Sequence, residues 1–139
     1  MTRFVFLAVV LLMLLQGLFA FGADYLRVDG GREALAAYGV ARPGSPPEVL
    51  TLGVWVLEAL GLTALFLLIQ GRGGAWWLDG LLTGWIAWIF RGPLLVLTVE
   101  ALTRLPRDPW WGIAVRTFFL YSCGGLLLAE LARRLDLRR

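Results

Sequence analysis

The apolar residues of this chain fall in four long runs, which are separated by short polar stretches rich in glycine and proline. The runs cover approximately residues 4–22, 48–70, 75–100 and 110–131. Each is close to the ~20 residues that a helix needs to cross the hydrocarbon core of a bilayer. A helix satisfies its own backbone hydrogen bonds in lipid, so such spans are helical. The pattern therefore predicts an all-α fold, an integral membrane four-helix bundle in which residues 1–139 form a single domain.

The first apolar run admits a second interpretation. Arg3 precedes it, and residues 20–22 read Ala-Phe-Gly, so the segment also has the basic start, apolar middle and small-residue end of a secretory signal peptide. We favour a retained first helix and keep the cleaved signal peptide as the alternative.

Tryptophan pairs and a glycine-rich turn indicate where the later spans begin and end. Trp76-Trp77 and Trp110-Trp111 open the third and fourth runs, and indole rings favour the headgroup boundary. A turn over residues 71–74, Gly-Arg-Gly-Gly, joins the second run to the third. So short a connection predicts that these two helices are antiparallel neighbours.

Charge predicts the orientation of the bundle. All 13 basic residues are arginines, and four helices place both termini on one side of the membrane. That side would hold six arginines against five on the other: Arg3, Arg72, Arg133, Arg134, Arg138 and Arg139. Basic residues are enriched on the cytoplasmic side. We therefore expect a multi-pass protein of the inner (plasma) membrane with both termini cytoplasmic.

Composition excludes several kinds of chemistry. The chain has no histidine and a single cysteine, Cys123, which removes histidine-ligated haem, histidine-containing zinc sites, Ser-His catalysis and an internal disulfide. The sequence shows no cofactor or metal site. Apart from Arg91 and Arg116, the arginines lie at or beyond helix ends without interleaved aromatic residues, so nucleic-acid binding has no support. No specific activity is readable, and we expect no catalytic activity of the chain itself.

Four polar residues inside the predicted spans are the candidate site: Gln16, Glu58, Arg91 and Arg116. Charged groups at bilayer depth are costly, and they usually face a partner or a cavity. At 1.5 Å per helical residue, Glu58 lies about 15 Å below the outer surface, Arg91 about 13 Å, and Arg116 and Gln16 about 9 Å. All four therefore belong to the outer half of the membrane.

Glu58 and Arg91 lie at matching depth on neighbouring helices, so we predict that they pair. The pair has two interpretations: a salt bridge that locks the bundle, or part of a polar pocket to which Arg116 adds positive charge. Such a pocket would suit a carboxylate, a phosphate, a lipid headgroup or a quinone carbonyl. A third interpretation leaves Arg116 snorkelling to the membrane surface.

Small residues mark one face of the third helix. Gly80, Gly84, Ala87 and Arg91 follow 4-3-4 spacing, and Gly80-x-x-x-Gly84 permits close helix packing. This face predicts that Arg91 points towards other helices and away from lipid. Gly92-Pro93 follows directly and predicts a bend, because proline cannot donate the helical hydrogen bond.

The first half of the chain resembles the DoxX-like family of four-helix membrane proteins. The resemblance covers residues 3–70: Arg3, the end of the first helix at 17–22, a loop with Tyr38-Gly39-Val40 and a proline cluster, and the stretch 58–62, Glu-Ala-Leu-Gly-Leu. The second half departs from the family, because its fourth span ends in an arginine-rich segment. Only Glu58 carries over by position. The resemblance implies a quinone- or redox-linked membrane subunit.

These observations favour an accessory subunit of a larger membrane complex, in contact with lipid and with other subunits or with copies of itself. The alternative is a small homo-oligomeric transporter or flippase for an anionic lipid or metabolite, which would use Glu58, Arg91 and Arg116. A lipid-modifying enzyme ranks third, because the paired acids or histidine that such chemistry needs are missing.

Overall fold

The computed structural model describes residues 1–25, 48–71, 74–102 and 108–136, and the secondary structure of these residues is helical. It consists of α1 (Thr2–Tyr25), α2 (Glu48–Ile69), α3 (Trp76–Arg91), α4 (Pro93–Leu102) and α5 (Asp108–Arg134). Four segments are long and apolar enough to cross a membrane: Thr2–Gly22, Val49–Ile69, Trp76–Leu102 and Trp110–Arg134. The predicted all-α membrane bundle of four spans is confirmed. The loop residues 38–40 that carry part of the DoxX-like resemblance lie outside the described residues.

The third span is divided where the sequence predicts a bend. α3 ends at Arg91 and α4 begins at Pro93, with Gly92 between them at φ −100° and ψ −94°. Pro93 has no N–H to donate back to the preceding turn, so the helix is interrupted there. Gly92 takes part in one backbone hydrogen bond on each side of the break. Its N–H donates to the Trp88 carbonyl at 2.7 Å, and its carbonyl accepts from the Val96 N–H at 3.0 Å.

The two chain termini lie at the same end of the bundle. The ring of Phe4, near the start of α1, is 6.1 Å from the ring of Phe66, near the end of α2. The Arg133 guanidinium, near the end of α5, lies 5.4 Å from the ring centre of Trp76, the first residue of α3. We call this the terminal end of the bundle. A cation over an indole face is attractive, so this contact also ties α5 to α3.

Glycines bring α3 and α5 into the closest contact of the bundle. Gly80 and Gly84 of α3 face the backbone of Gly125 and Tyr121 of α5. A Cβ at Gly80 would lie 2.6 Å from the Gly125 carbonyl oxygen, so any larger residue there would push the helices apart. Dispersion contacts rather than water exclusion drive helix association in lipid, and small residues maximise those contacts.

A compact apolar core fills the terminal half of the bundle. It combines residues from α1, α2 and α5: Phe4, Ala8, Leu12, Ala59, Leu62, Phe66, Tyr121, Leu128, Ala129 and Ala132. The α1 members recur every four residues, which places them on one helical face. This core holds α1, α2 and α5 in register and so fixes the polar side chains that lie beyond it.

Candidate functional site

Four polar side chains meet inside the bundle, one from each of α1, α2, α3 and α5. They are Gln16, Glu58, Arg91 and Tyr121, and we call them the polar quartet. The Arg91 Nε lies 2.9 Å from the Glu58 Oε1, so the predicted pair forms a direct salt bridge. The pair joins α2 to α3 within the membrane spans. At this distance each charge neutralises the other.

The other two members of the quartet complete the coordination of the ion pair. The Gln16 Nε2 donates a hydrogen bond to the Glu58 Oε2 at 3.3 Å. The Tyr121 hydroxyl is close enough to both charged groups to interact with each of them. Both carboxylate oxygens of Glu58 thus have a donor. This satisfies the requirement that a charge in a low-dielectric setting be both paired and hydrogen-bonded.

The ion pair is asymmetric in its exposure, which corrects one prediction. The Arg91 side chain is 49% exposed and that of Glu58 is 21% exposed. The sequence predicted that Arg91 would lie on the packed face with Gly80 and Gly84, away from lipid. Those two glycines are buried as expected, but the long arginine side chain extends from that face to Glu58 at the edge of α2. The pair therefore presents a guanidinium at the surface of the bundle.

Arg116 is placed differently from the other predicted site residues. Its Nη2 donates to the backbone carbonyl of Phe19 in α1, at 3.2 Å, so it ties α5 to α1. Its side chain is partly buried. Arg116 thus contributes to helix packing on the α1 side, whereas the quartet is centred on Glu58.

A small cavity adjoins the quartet. It is lined by Gln16 and Tyr121 together with apolar residues of α1, α2 and α5, and it holds about 10 Å³. This is room for about one water molecule. The Gln16 Oε1 is buried beside it and has no hydrogen-bond donor within the described residues. This cavity is therefore too small for an organic ligand.

Tyr121 is the member of the quartet that does not belong to the candidate site predicted from the sequence. A depth argument identifies it. Tyr121 lies 11 residues after Trp110, which opens the fourth span. At 1.5 Å per residue this places it about 16 Å from the outer surface, level with Glu58. A tyrosine in a membrane span is expected to hydrogen-bond across helices, and its depth shows which polar groups it can reach.

The quartet holds an ion pair whose cationic member is half exposed. No cluster of three metal-ligating side chains occurs among residues 1–25, 48–71, 74–102 and 108–136. The Glu58 carboxylate is engaged by Gln16 and Arg91. The exposed part of the Arg91 guanidinium carries several N–H donors in a rigid planar fork, which suits a carboxylate or phosphate outside the chain.

Comparison with protein-family models, curated proteins and solved structures finds no match for this chain. The DoxX-like resemblance of residues 3–70 therefore stays a prediction.

The ion pair makes a specific prediction for stability. Glu58→Leu or Arg91→Leu alone should cost about 3 kcal/mol, because each strands one charge inside the bundle. This is the lower end of the usual range, since Arg91 is half exposed. The double variant should cost about 1 kcal/mol or less, because no charge remains unpaired. Unfolding of all four proteins in the same detergent measures these differences. Losses that simply add in the double variant would contradict a direct interaction.

Proposed function

We propose that this chain is an accessory or anchoring subunit of a larger membrane complex, and that it contacts its partner through the surface around Arg91. The observation that carries the proposal is the half-exposed guanidinium of Arg91, held by Glu58 within the membrane-spanning part of the bundle. A cationic group facing hydrocarbon is costly, and a polar group of a neighbouring subunit removes that cost. In a protein without a partner, the same ion pair would be less costly if both side chains were buried inside the bundle.

The surface of α2 beside the ion pair supports close approach by another helix. Val54 and Gly61 lie four residues before and three residues after Glu58, so they share its side of the helix. Both are exposed, and a Cβ built on Gly61 meets nothing within 4 Å. A glycine in open space next to a fixed charge gives a neighbouring helix both an indentation and a polar anchor.

The identity of the complex is a further part of the proposal. The resemblance of residues 3–70 to the DoxX-like family favours a respiratory or quinone-linked complex. In such a complex this chain would add apolar surface and one partly exposed guanidinium paired with Glu58, and the redox chemistry would belong to other subunits.

A small homo-oligomeric transporter or flippase for an anionic lipid or metabolite is the second candidate. The same exposed Arg91 favours it, because a guanidinium binds phosphate and carboxylate groups well. The cavity beside the quartet holds about 10 Å³, so an anionic solute has no passage there through a single copy. Transport would therefore require a pathway formed between copies or along the outer surface of the bundle.

We also propose an inner-membrane location with both termini cytoplasmic. The two termini lie at the same end of the bundle, and the count of six arginines against five favours that end as cytoplasmic. In a Cys123→Ala background, a cysteine introduced at position 45 should react with an impermeant maleimide added outside intact cells. A cysteine appended after Arg139 should react only after the membrane is opened. The reverse pattern would invert the orientation, and labelling of both from one side would contradict four spans.

Site-specific photo-crosslinking tests the proposed subunit role. Phe90 precedes Arg91 and is 69% exposed, while Phe6 on α1 is 68% exposed and serves as a matched control. Replacing each phenylalanine in turn by p-benzoylphenylalanine preserves an aromatic side chain. We expect position 90 to capture another membrane polypeptide in native membranes and position 6 to capture lipid. The capture should disappear when Glu58 and Arg91 are both leucine, a variant expected to remain folded.

Three results would argue against the subunit role. Capture at position 90 that persists in the double leucine variant would mean that the charge is not recognised. Capture of lipid alone at position 90 would mean that no partner covers this surface. Cross-links that join only copies of this chain would favour the homo-oligomeric alternative.

A further inference from the structure

A second feature, separate from the polar quartet, lies near the terminal end of the bundle. A groove of about 460 Å³ runs from the end of α2 along α3. Its walls include Ile69 of α2 and Trp77, Leu82, Trp85 and Ile86 of α3. This volume is in the range of sites that bind organic molecules. Trp77, Leu82 and Trp85 are all exposed, so the groove opens on the surface that the bilayer covers.

Asp79 gives this groove a charged end. It is the charged side chain among the described residues of the lining, and it is buried at 9% exposure. Its Oδ2 accepts a hydrogen bond from the Gly71 N–H at 3.3 Å, in the connection between α2 and α3. That bond uses one of the roughly four acceptor positions of a carboxylate. A Cβ on Gly74 would lie 3.4 Å from the Oδ1, so the glycine leaves space beside the second oxygen.

The charged and apolar ends of the groove are arranged along the axis of α3, which belongs to a candidate membrane span. Asp79 lies in the first turn of α3, next to Trp76 and Trp77, which mark the headgroup boundary. Ile86 lies seven residues further along α3, or about 10 Å deeper into the bilayer. The groove thus has a carboxylate at headgroup level and aliphatic and aromatic walls at acyl-chain level.

We propose that this groove binds one aminophospholipid, with the headgroup ammonium on the Asp79 carboxylate and an acyl chain along Leu82, Trp85 and Ile86. The charge complementarity selects the lipid: a carboxylate attracts a primary ammonium, which also donates hydrogen bonds to it, and it repels a purely anionic headgroup. The two-part polarity of the groove matches an amphiphile that lies parallel to the bundle. The groove lies at the Ile69 end of α2, about 16 Å along the helix from Glu58, so it does not depend on the proposed subunit role.

Native mass spectrometry of the purified full-length chain tests the lipid site. The protein is exchanged into detergent with either dioleoyl phosphatidylethanolamine or dioleoyl phosphatidylglycerol, which differ in headgroup but not in acyl chains. We expect one molecule of the ethanolamine lipid to be retained, with an affinity at least tenfold above that of the glycerol lipid. Equal retention of the two lipids would overturn the proposal.

Two variants separate charge from shape. Asp79→Asn keeps an acceptor oxygen for the Gly71 N–H, so the connection between α2 and α3 should remain folded. The ratio of the affinity for the ethanolamine lipid to that for the glycerol lipid should fall at least tenfold in this variant. Leu82→Trp leaves the carboxylate in place and should displace the lipid by filling the apolar part. Glu130→Gln replaces an acid near the terminal end that does not line the groove. This control should leave lipid retention and lipid preference unchanged. An unchanged lipid preference in Asp79→Asn would contradict the assignment. Tetraphenylphosphonium, an apolar cation without an ammonium group, serves as a second probe. Its saturable binding, together with no preference between the two lipids, would also contradict the assignment.

Discussion

The salt bridge between Arg91 and Glu58 is the interaction on which the rest of this structure depends. Neither charge is tolerable alone at this depth, so α2 and α3 must stay paired wherever the bundle is in lipid. Gln16 adds a hydrogen bond from α1, and Tyr121 of α5 lies close to both charges, so a single polar centre contacts all four spans. Apolar packing in a bilayer is weakly directional, and this centre supplies the specific register that packing alone does not.

The glycine contact between α3 and α5 is what positions this centre. Gly84 packs against the backbone of Tyr121, so the same close approach that joins the two helices also sets the phenol beside the ion pair. The break at Gly92 then ends α3 immediately after Arg91. The arginine is therefore the last residue of a tightly packed helix, and its long side chain reaches past that packing to the bundle surface. The position of Arg91 at the end of α3 therefore explains both its pairing with Glu58 and the exposure of its guanidinium.

Much of this architecture is predictable from the sequence, because lipid imposes strong rules on length and polarity. The four spans, the bend at Gly92-Pro93 and the pairing of Glu58 with Arg91 all follow from hydrophobic runs and helical rise. The exposure of Arg91 was predicted wrongly, because helical periodicity locates a Cα on a face but not the end of a long, flexible side chain. The groove beside Asp79 was also missed, since its shape depends on how α2 and α3 pack together, which helical periodicity does not predict.

Exchange of the two charges tests the central claim most directly, namely that an intrachain pair presents its positive member to a partner. Glu58→Arg and Arg91→Glu should each destabilise the bundle strongly, while the double exchange should recover most of the lost stability in detergent. The double exchange should nevertheless fail to associate with the native partner, because a carboxylate now stands where the guanidinium was. A double exchange as unstable as the single variants would refute the direct pair. Recovery of association together with stability would show that the exposed charge is not what the partner recognises.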